Sequence, residues 1–318
     1  MKLRHLILFL TVVGIPLICP ANEASAADIT PHYKKGQSHQ YGGILDLTLT
    51  QKIVNPQTCD LKYHVVLKSD LKIDVTEVYD NKSADLLIHF MDPALQFSLN
   101  CDMQNAMSFD LTFDSTKDEP GQMKEMQIAK SLIDCLNGVQ FLIKVSEKGE
   151  ILGVKGIEPI QQKIAEQMGE SPLLQSSGEG LCALLTEDRV SKIASYFTLY
   201  LPSGPVKKGD AWNKTFNFFS NQVSQNWSFK DEDSQVITLT EKSTIQEGPL
   251  KSESGTTIFE KFSGDLTETL TLEKGTYWFS SHQAEFNSEA TQTINFPMND
   301  EPAHIQYQIS GKSDFKKK

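Results

Sequence analysis

The sequence predicts a mainly β protein with a helical insert, an α+β fold built on antiparallel strands. Apolar and polar residues alternate along both ends of the chain, which is the period of a strand with one buried and one wet face. Between about residues 122 and 200 the apolar residues recur at helical spacing instead. We expect a curved antiparallel sheet, or two half-barrel-like sheets, with helices packed on or inside them.

Residues 1–26 are predicted to be a secretory signal peptide of bacterial type. Two basic residues give a positive start, residues 6–18 form a short apolar run, and Ala24-Ser25-Ala26 is an A-x-A cleavage site. The run falls short of the roughly 20 residues needed to span a bilayer, so a membrane anchor is not expected. We therefore expect an exported protein, either periplasmic or extracellular.

Charge and the first cysteine limit the partners of the exported chain. The formal net charge of −11 argues against nucleic acid or anionic lipid as a partner. Cys19 follows the large side chain of Ile18, whereas a lipidated cysteine follows a small residue, so lipidation at Cys19 is not expected. No transmembrane segment is predicted in the mature chain.

Four further cysteines are candidates for disulfide bonds: Cys59, Cys101, Cys135 and Cys182. None lies in a C-x-x-C pair, which disfavours a zinc site or a thioredoxin-like redox site. Two structural disulfides fit an exported protein, with three possible connectivities. Order along the chain favours Cys59 with Cys101 and Cys135 with Cys182, and four buried free thiols are the alternative.

An N-terminal β half is predicted over residues 27–121. Residues 61–75 alternate most regularly, a polar turn at 80–83 follows, and a return strand begins at Leu86. The apolar set changes phase after Pro93, which predicts a β-bulge there, because proline cannot donate to the ladder.

The turn position also predicts strand register. If Asp80 pairs with Ser83, then His89 lies opposite Asp74, and we interpret that pair as a surface contact. One extra residue near Pro93 would place Cys101 opposite Tyr63. Cys59 would then be roughly 13 Å further along, which is beyond disulfide reach between regular strands.

Residues 122–206 form the predicted strand and helical insert, and residues 207–318 form a C-terminal β half within one integrated domain. Helices are expected over 122–136, from Pro159 to Gly169, and after a Thr186 cap, with a loop at 170–180. Lys-Lys-Gly precedes the first strand of each half, at 34–36 and 207–209, which fits either an internal duplication or a chance match, since Lys-Lys-Gly suits any exposed turn.

Four stretches are similar to a family of exported bacterial proteins, often lipoproteins, that is defined only as a domain of unknown function: residues 33–36, 145–156, 201–212 and 275–279. Turn and strand-edge residues dominate these stretches, so the resemblance implies a fold and transfers no catalytic residue. The residues to which we assign structural roles are Gly36, Gly149, Gly156, Pro202, Gly209, Trp212 and Trp278.

No catalytic, cofactor or metal site is predicted. The chain has no H-E-x-x-H and no G-x-S-x-G motif, and its S-x-x-K match, Ser69 to Lys72, lies in a strand with the two side chains on opposite faces. A non-enzymatic binding or structural protein of the bacterial envelope is the leading hypothesis, with an envelope protein or an apolar ligand as its partner. A lipid or lipoprotein carrier with an apolar cavity is one alternative, and a hydrolase with a site built from distant loops is another.

Overall fold

The structure, a computed structural model, describes residues 29, 32–54, 58–103, 109–119, 124–168, 182, 185–196, 200–218, 221–251, 257–294 and 302–318. The predicted signal peptide and the predicted loop at 170–180 lie outside these residues. The described strands are β1 (Ser38–Val54), β2 (Cys59–Val78), β3 (Ala84–Met103), β4 (Phe109–Asp114), β5 (Gln140–Val145), β6 (Ile151–Lys155), β7 (Ala211–Phe218), β8 (Asn221–Glu232), β9 (Val236–Lys251), β10 (Thr257–Glu273), β11 (Phe279–Ile294) and β12 (Ala303–Lys317).

One antiparallel sheet contains all twelve of these strands, and all but β4 follow the order β6-β5-β3-β2-β1-β12-β11-β10-β9-β8-β7. The long β3 pairs with β5 along its first part and with β4 along its last part. The predicted mainly β, antiparallel fold is confirmed, and the strands join in a single sheet rather than in two. Within the described residues, β6 and β7 end this path, and β4, which pairs only with β3, is a third edge strand.

Three helices are described in the middle of the chain: α1 (Lys124–Leu136), α2 (Glu158–Met168) and α3 (Glu187–Tyr196). The Thr186 hydroxyl accepts a hydrogen bond from the Arg189 amide at 3.3 Å, so Thr186 is the N-cap of α3 as predicted. Strands β5 and β6 lie between α1 and α2, so the region combines short helices with sheet.

Alternation along β1 defines the two faces of the sheet. Tyr41, Leu45 and Leu47 are buried on what we call the inner face, while Asp46 is exposed on the outer face. The inner face carries two apolar clusters. The first cluster includes Tyr41, Ile73, Ile88, Ile164, Phe229, Leu272 and Trp278. The second cluster consists of Leu45, Leu47, Leu49, Val65, Leu95, Ile133, Leu250, Phe262, Phe286, Ala290, Ile305, Tyr307 and Ile309.

The predicted bulge at Pro93 is confirmed. The pairing passes from Lys68 opposite Ala94 to Asp70 opposite Met91, so Asp92 and Pro93 face a single residue of β2. Asp92 has a φ of 48°, a left-handed conformation that fits a bulge.

The predicted register of β2 and β3 was wrong by two residues. Cys101 lies opposite Leu61, and His89 lies opposite Lys72. The hairpin turn is longer than expected, because its first pair is Val78 with Ala84, and a second irregularity follows between Val75 and Glu77. A shift by two residues keeps every side chain on its predicted face, because the side-chain period of a strand is two.

The two Lys-Lys-Gly turns have matching hydrogen bonds. The Gly36 amide donates to the Val75 carbonyl at 2.8 Å, and the Gly209 amide donates to the Phe229 carbonyl at 2.9 Å. In each turn the side chain that follows the glycine also accepts a hydrogen bond from the first lysine's amide. Both turns lead into a strand that pairs with the next strand in sequence, β1 with β2 and β7 with β8. This agreement supports an internal duplication.

Candidate functional site

Two glutamates and a histidine meet on the inner face, between the two apolar clusters. Glu241 of β9 pairs directly with Glu268 of β10. His282 of β11 pairs with Leu270, which is the next inner position along β10. We call Glu241, Glu268 and His282 the acidic cluster. Three hairpin-connected strands therefore bring together residues that are up to 41 positions apart in the chain.

The acidic cluster is buried and incompletely hydrogen-bonded. Glu241 is 1% exposed, and neither of its carboxylate oxygens has a hydrogen-bond partner among the described residues. His282 Nε2 lies 3.5 Å from Glu268 Oε2, whereas His282 Nδ1 is buried and unpartnered within the described part of the chain. Buried polar atoms are usually paired, so these atoms indicate a place where a further polar group is accommodated.

Burial, and to a smaller extent the neighbouring Glu268 charge, raise the pKa of Glu241 to about 8. Ser243 acts in the opposite direction, because its hydroxyl lies near the carboxyl group, although its geometry is not that of a hydrogen bond. Glu241 is therefore mainly protonated at neutral pH. It can donate a hydrogen bond in that state and can become an anion when a cation binds beside it.

The arrangement does not resemble a metal site. No group of three or more His, Cys, Asp or Glu residues in the described part of the chain is placed to hold a metal ion. The sequence analysis did not predict the acidic cluster. A signal for it exists, because Glu268 stands in phase between Leu266 and Leu270, and Glu241 follows Ile237 and Leu239 at the same spacing.

Beside the acidic cluster, the second apolar cluster is bordered by apolar side chains that remain partly exposed. We call them the apolar rim: Ile53, Tyr63, Leu67, Phe97, Ile245, Phe259, Leu266 and Ile294. The Phe259 ring packs edge-on against Tyr307 at a centroid distance of 5.2 Å. Because β10 and β12 are separated by β11, Phe259 reaches over β11, where the small Ala290 lies opposite Tyr307.

The first cluster ends in a group of stacked rings around Trp278. This side chain is fully buried and packs 4.1 Å from the His39 ring and 6.4 Å from the Tyr33 ring, centroid to centroid. Burial, and to a smaller extent the nearby Lys317 charge, lower the pKa of His39 to about 4. Burial also raises the pKa of Tyr41, whose ring stacks on Phe279. This end of the sheet is a packed core.

The residues assigned structural roles lie at turns and strand ends. All four glycines among them have a positive φ: 82° at Gly36, 77° at Gly149, 89° at Gly156 and 94° at Gly209. Gly149 completes the turn between β5 and β6, where its amide donates to Ser146. Trp212 of β7 donates its indole N–H to the Tyr200 carbonyl at 3.0 Å. Pro202 lies two residues after Tyr200 in the chain.

The four described cysteines, Cys59, Cys101, Cys135 and Cys182, are not joined in disulfide bonds. Cys59 Sγ and Cys101 Sγ lie 3.7 Å apart, well beyond the S–S bond length of about 2 Å. The predicted disulfides are therefore not present, although the first pair is brought together. The predicted 13 Å separation was also wrong, because the two-residue register shift moves Cys101 towards Cys59. Cys135 and Cys182 each contact a carbonyl of α2, at 3.9 and 3.6 Å.

The predicted contact between His89 and Asp74 is present as a diagonal pair. His89 Nε2 lies 2.9 Å from Asp74 Oδ2, at an angle that does not make a hydrogen bond. Asp74 has a further partner, because it accepts a hydrogen bond from Lys72 at 2.8 Å. Asp74 therefore contacts both Lys72 and His89 on the polar side of β2 and β3.

The outer face carries a shallow groove of about 530 Å³ opposite the second cluster. Hydroxyl, amide and carboxylate groups line it, among them Thr48, Asp265, Asn287 and Gln308. Asp265 accepts a hydrogen bond from Thr244 at 2.7 Å, so the groove is held together by its own polar groups. It contains no histidine, cysteine or aromatic side chain.

Fold and site together define the class of this protein: a large antiparallel sheet whose inner face carries an apolar rim and an acidic cluster. Residues 95–279 match a family described as a family of unknown function (DUF6263), and the chain belongs to that family. This confirms the resemblance to a family defined only by unknown function. No curated protein matches the chain in sequence.

Solved structures show weak similarity. One described as lipid–protein interactions in lipovitellin aligns with 90% of this chain and 25% of that chain, with 8% identity and a TM-score of 0.45. Pseudomonas aeruginosa OccK7 (OpdD) aligns with 88% of this chain and 99% of that chain, with 4% identity and a TM-score of 0.20. In the described residues, no helix combines the length and the apolar character that crossing a membrane requires.

Proposed function

We propose that the chain is an exported protein of the bacterial envelope that binds an apolar, lipid-like ligand on the inner face of its sheet, without catalysing a reaction. The apolar rim is the observation that carries this proposal. Its eight side chains come from strands β1, β2, β3, β9, β10 and β11 and border one continuous apolar cluster. Contiguous apolar surface that remains partly exposed is typical of sites for apolar ligands.

Export to the envelope rests on the predicted signal peptide at residues 1–26. The chain is acidic, with a formal net charge of −11, which disfavours attachment to an anionic lipid surface through charge. A single molecule held against the inner face is therefore a better fit than binding to a membrane surface.

Native mass spectrometry of the protein purified from its own envelope tests the proposal. We expect a fraction of the protein to carry a co-purified lipid, whereas a uniformly ligand-free mass would contradict the proposal. Finding only the hydrolysed products of a lipid would support the hydrolase instead.

Two variants of β1 make the test specific to the inner face. Ile53→Asn places a polar group in the apolar rim, and Ile44→Asn places one on the outer face, where Ile44 is 45% exposed. We expect the first variant to lose most of the bound lipid and the second to keep it. Equal retention by both would show that the ligand binds elsewhere.

A further inference from the structure

We propose that the acidic cluster binds the positively charged amino head group of the ligand, so that the ligand is an amphipathic amine with its apolar part on the apolar rim. This inference rests on the proposed function and deepens it by naming the chemical class of the ligand.

The position of the cluster connects it to the apolar rim. Along β10 the inner positions run from Leu266 of the rim to Glu268 and then to Leu270 of the first cluster. Glu268 retains 18% of its side-chain exposure, so solvent reaches the cluster at this residue. A molecule lying along the rim therefore ends beside Glu268, with Glu241 directly across the β9–β10 pair.

The unpartnered atoms define which head group fits. Both Glu241 oxygens are buried without a partner, and so is the hydroxyl of Ser313, which is 2% exposed. Ser313 pairs with Ala284, and Ala284 pairs with Glu268, so the hydroxyl lies on the same face two strands from Glu268. The two carboxyl groups on neighbouring strands present several acceptors, and an ammonium group supplies three N–H donors.

Charge also favours a cation. The described contacts of the two glutamates include no lysine or arginine, and His282 is the basic group beside Glu268. A buried carboxyl group without a cationic partner gains most from a ligand that supplies one. The absence of a metal-holding group among the described residues favours an organic cation over a metal ion.

Binding of an ammonium group has a measurable consequence for protons. Because the pKa of Glu241 is raised to about 8, this carboxyl group carries a proton at pH 7. An alkylammonium ion that binds beside it displaces that proton to solvent, and the resulting carboxylate and ammonium form an ion pair. The enthalpy of binding then depends on the ionisation enthalpy of the buffer.

Calorimetric titration of the mature full-length protein with decylamine, decanol and decanoic acid tests the inference. We expect decylamine to bind at least about tenfold more tightly than the other two, because hydrogen bonds to charged groups contribute that much. Proton release should accompany the binding of decylamine only. Glu241→Gln should abolish both the preference and the proton release.

Glu285→Gln is the matched control. Glu285 lies on the outer face of β11, where it pairs with Lys312, and the same change there should leave the amine preference intact. If all three compounds bind equally well to the wild type, the acidic cluster holds only water and the inference fails, while the proposed function stands. If none of the three binds, the proposed function itself fails.

Discussion

Glu241 makes the stability of this protein depend on pH in a direction opposite to that of most carboxyl groups. Its pKa is raised from 4.5 to about 8 in the folded chain, so the folded state binds the proton more tightly than the unfolded state. The contribution of this tighter proton binding to the unfolding free energy is fully present below pH 4.5 and is lost as the pH rises towards 8. We expect Glu241→Gln to remove this loss, because glutamine does not ionise.

The window from pH 6.5 to 8 isolates this effect. The pKa of His39 is lowered from 6.5 to about 4, so His39 costs stability only below pH 6.5. Above pH 6.5, the one extra proton that the folded state holds lowers the unfolding free energy by about 1.4 kcal/mol for each unit of pH increase. Since the dependence levels off near the folded pKa, the wild type should lose about 2 kcal/mol of unfolding free energy between pH 6.5 and 8.

Urea unfolding at constant ionic strength, at several pH values in this window, measures the effect. The Glu241→Gln variant should show an unfolding free energy that is nearly independent of pH. The Glu285→Gln variant, which removes an exposed carboxylate, should keep the wild-type slope. A wild-type free energy that stays constant over the window, or a Glu241→Gln variant that retains the full loss, would refute the reasoning.

Three further predictions use the same assays. Relative to the wild type, His39→Phe should gain up to about 3 kcal/mol of stability as the pH falls from 6.5 to 4, and no gain would show that the histidine is protonated in the fold. Gly43→Ala should lower the unfolding free energy by about 1–3 kcal/mol, because the added Cβ would lie 2.3 Å from an aromatic ring of β12. Gly153→Ala is the control, because its Cβ meets nothing within 4 Å, and surface changes of this kind cost less than about 0.5 kcal/mol. Oxidised glutathione should convert Cys59 and Cys101 into one intramolecular disulfide, seen as the loss of two titratable thiols, and four remaining thiols would contradict this expectation.

Local patterns in the sequence were sufficient for the strands, the bulge and the capped helix. The alternation of residues 61–75 predicts β2, and the phase change at Pro93 predicts the bulge, because both depend only on neighbours in the chain. Thr186 predicts the start of α3 for the same reason. The register of β2 and β3 could not be predicted, because it depends on the length of the turn and on a second irregularity near Thr76.

The sequence by itself determined which face of the sheet each side chain occupies, since a strand has a period of two and a register error of two residues preserves the face. Only the tertiary structure decided which side chains meet. Glu241, Glu268 and His282 come together through the registers of two successive hairpins, and Cys59 approaches Cys101 through a third. Each register is set by turn length and packing over the whole sheet, so no local pattern contains it.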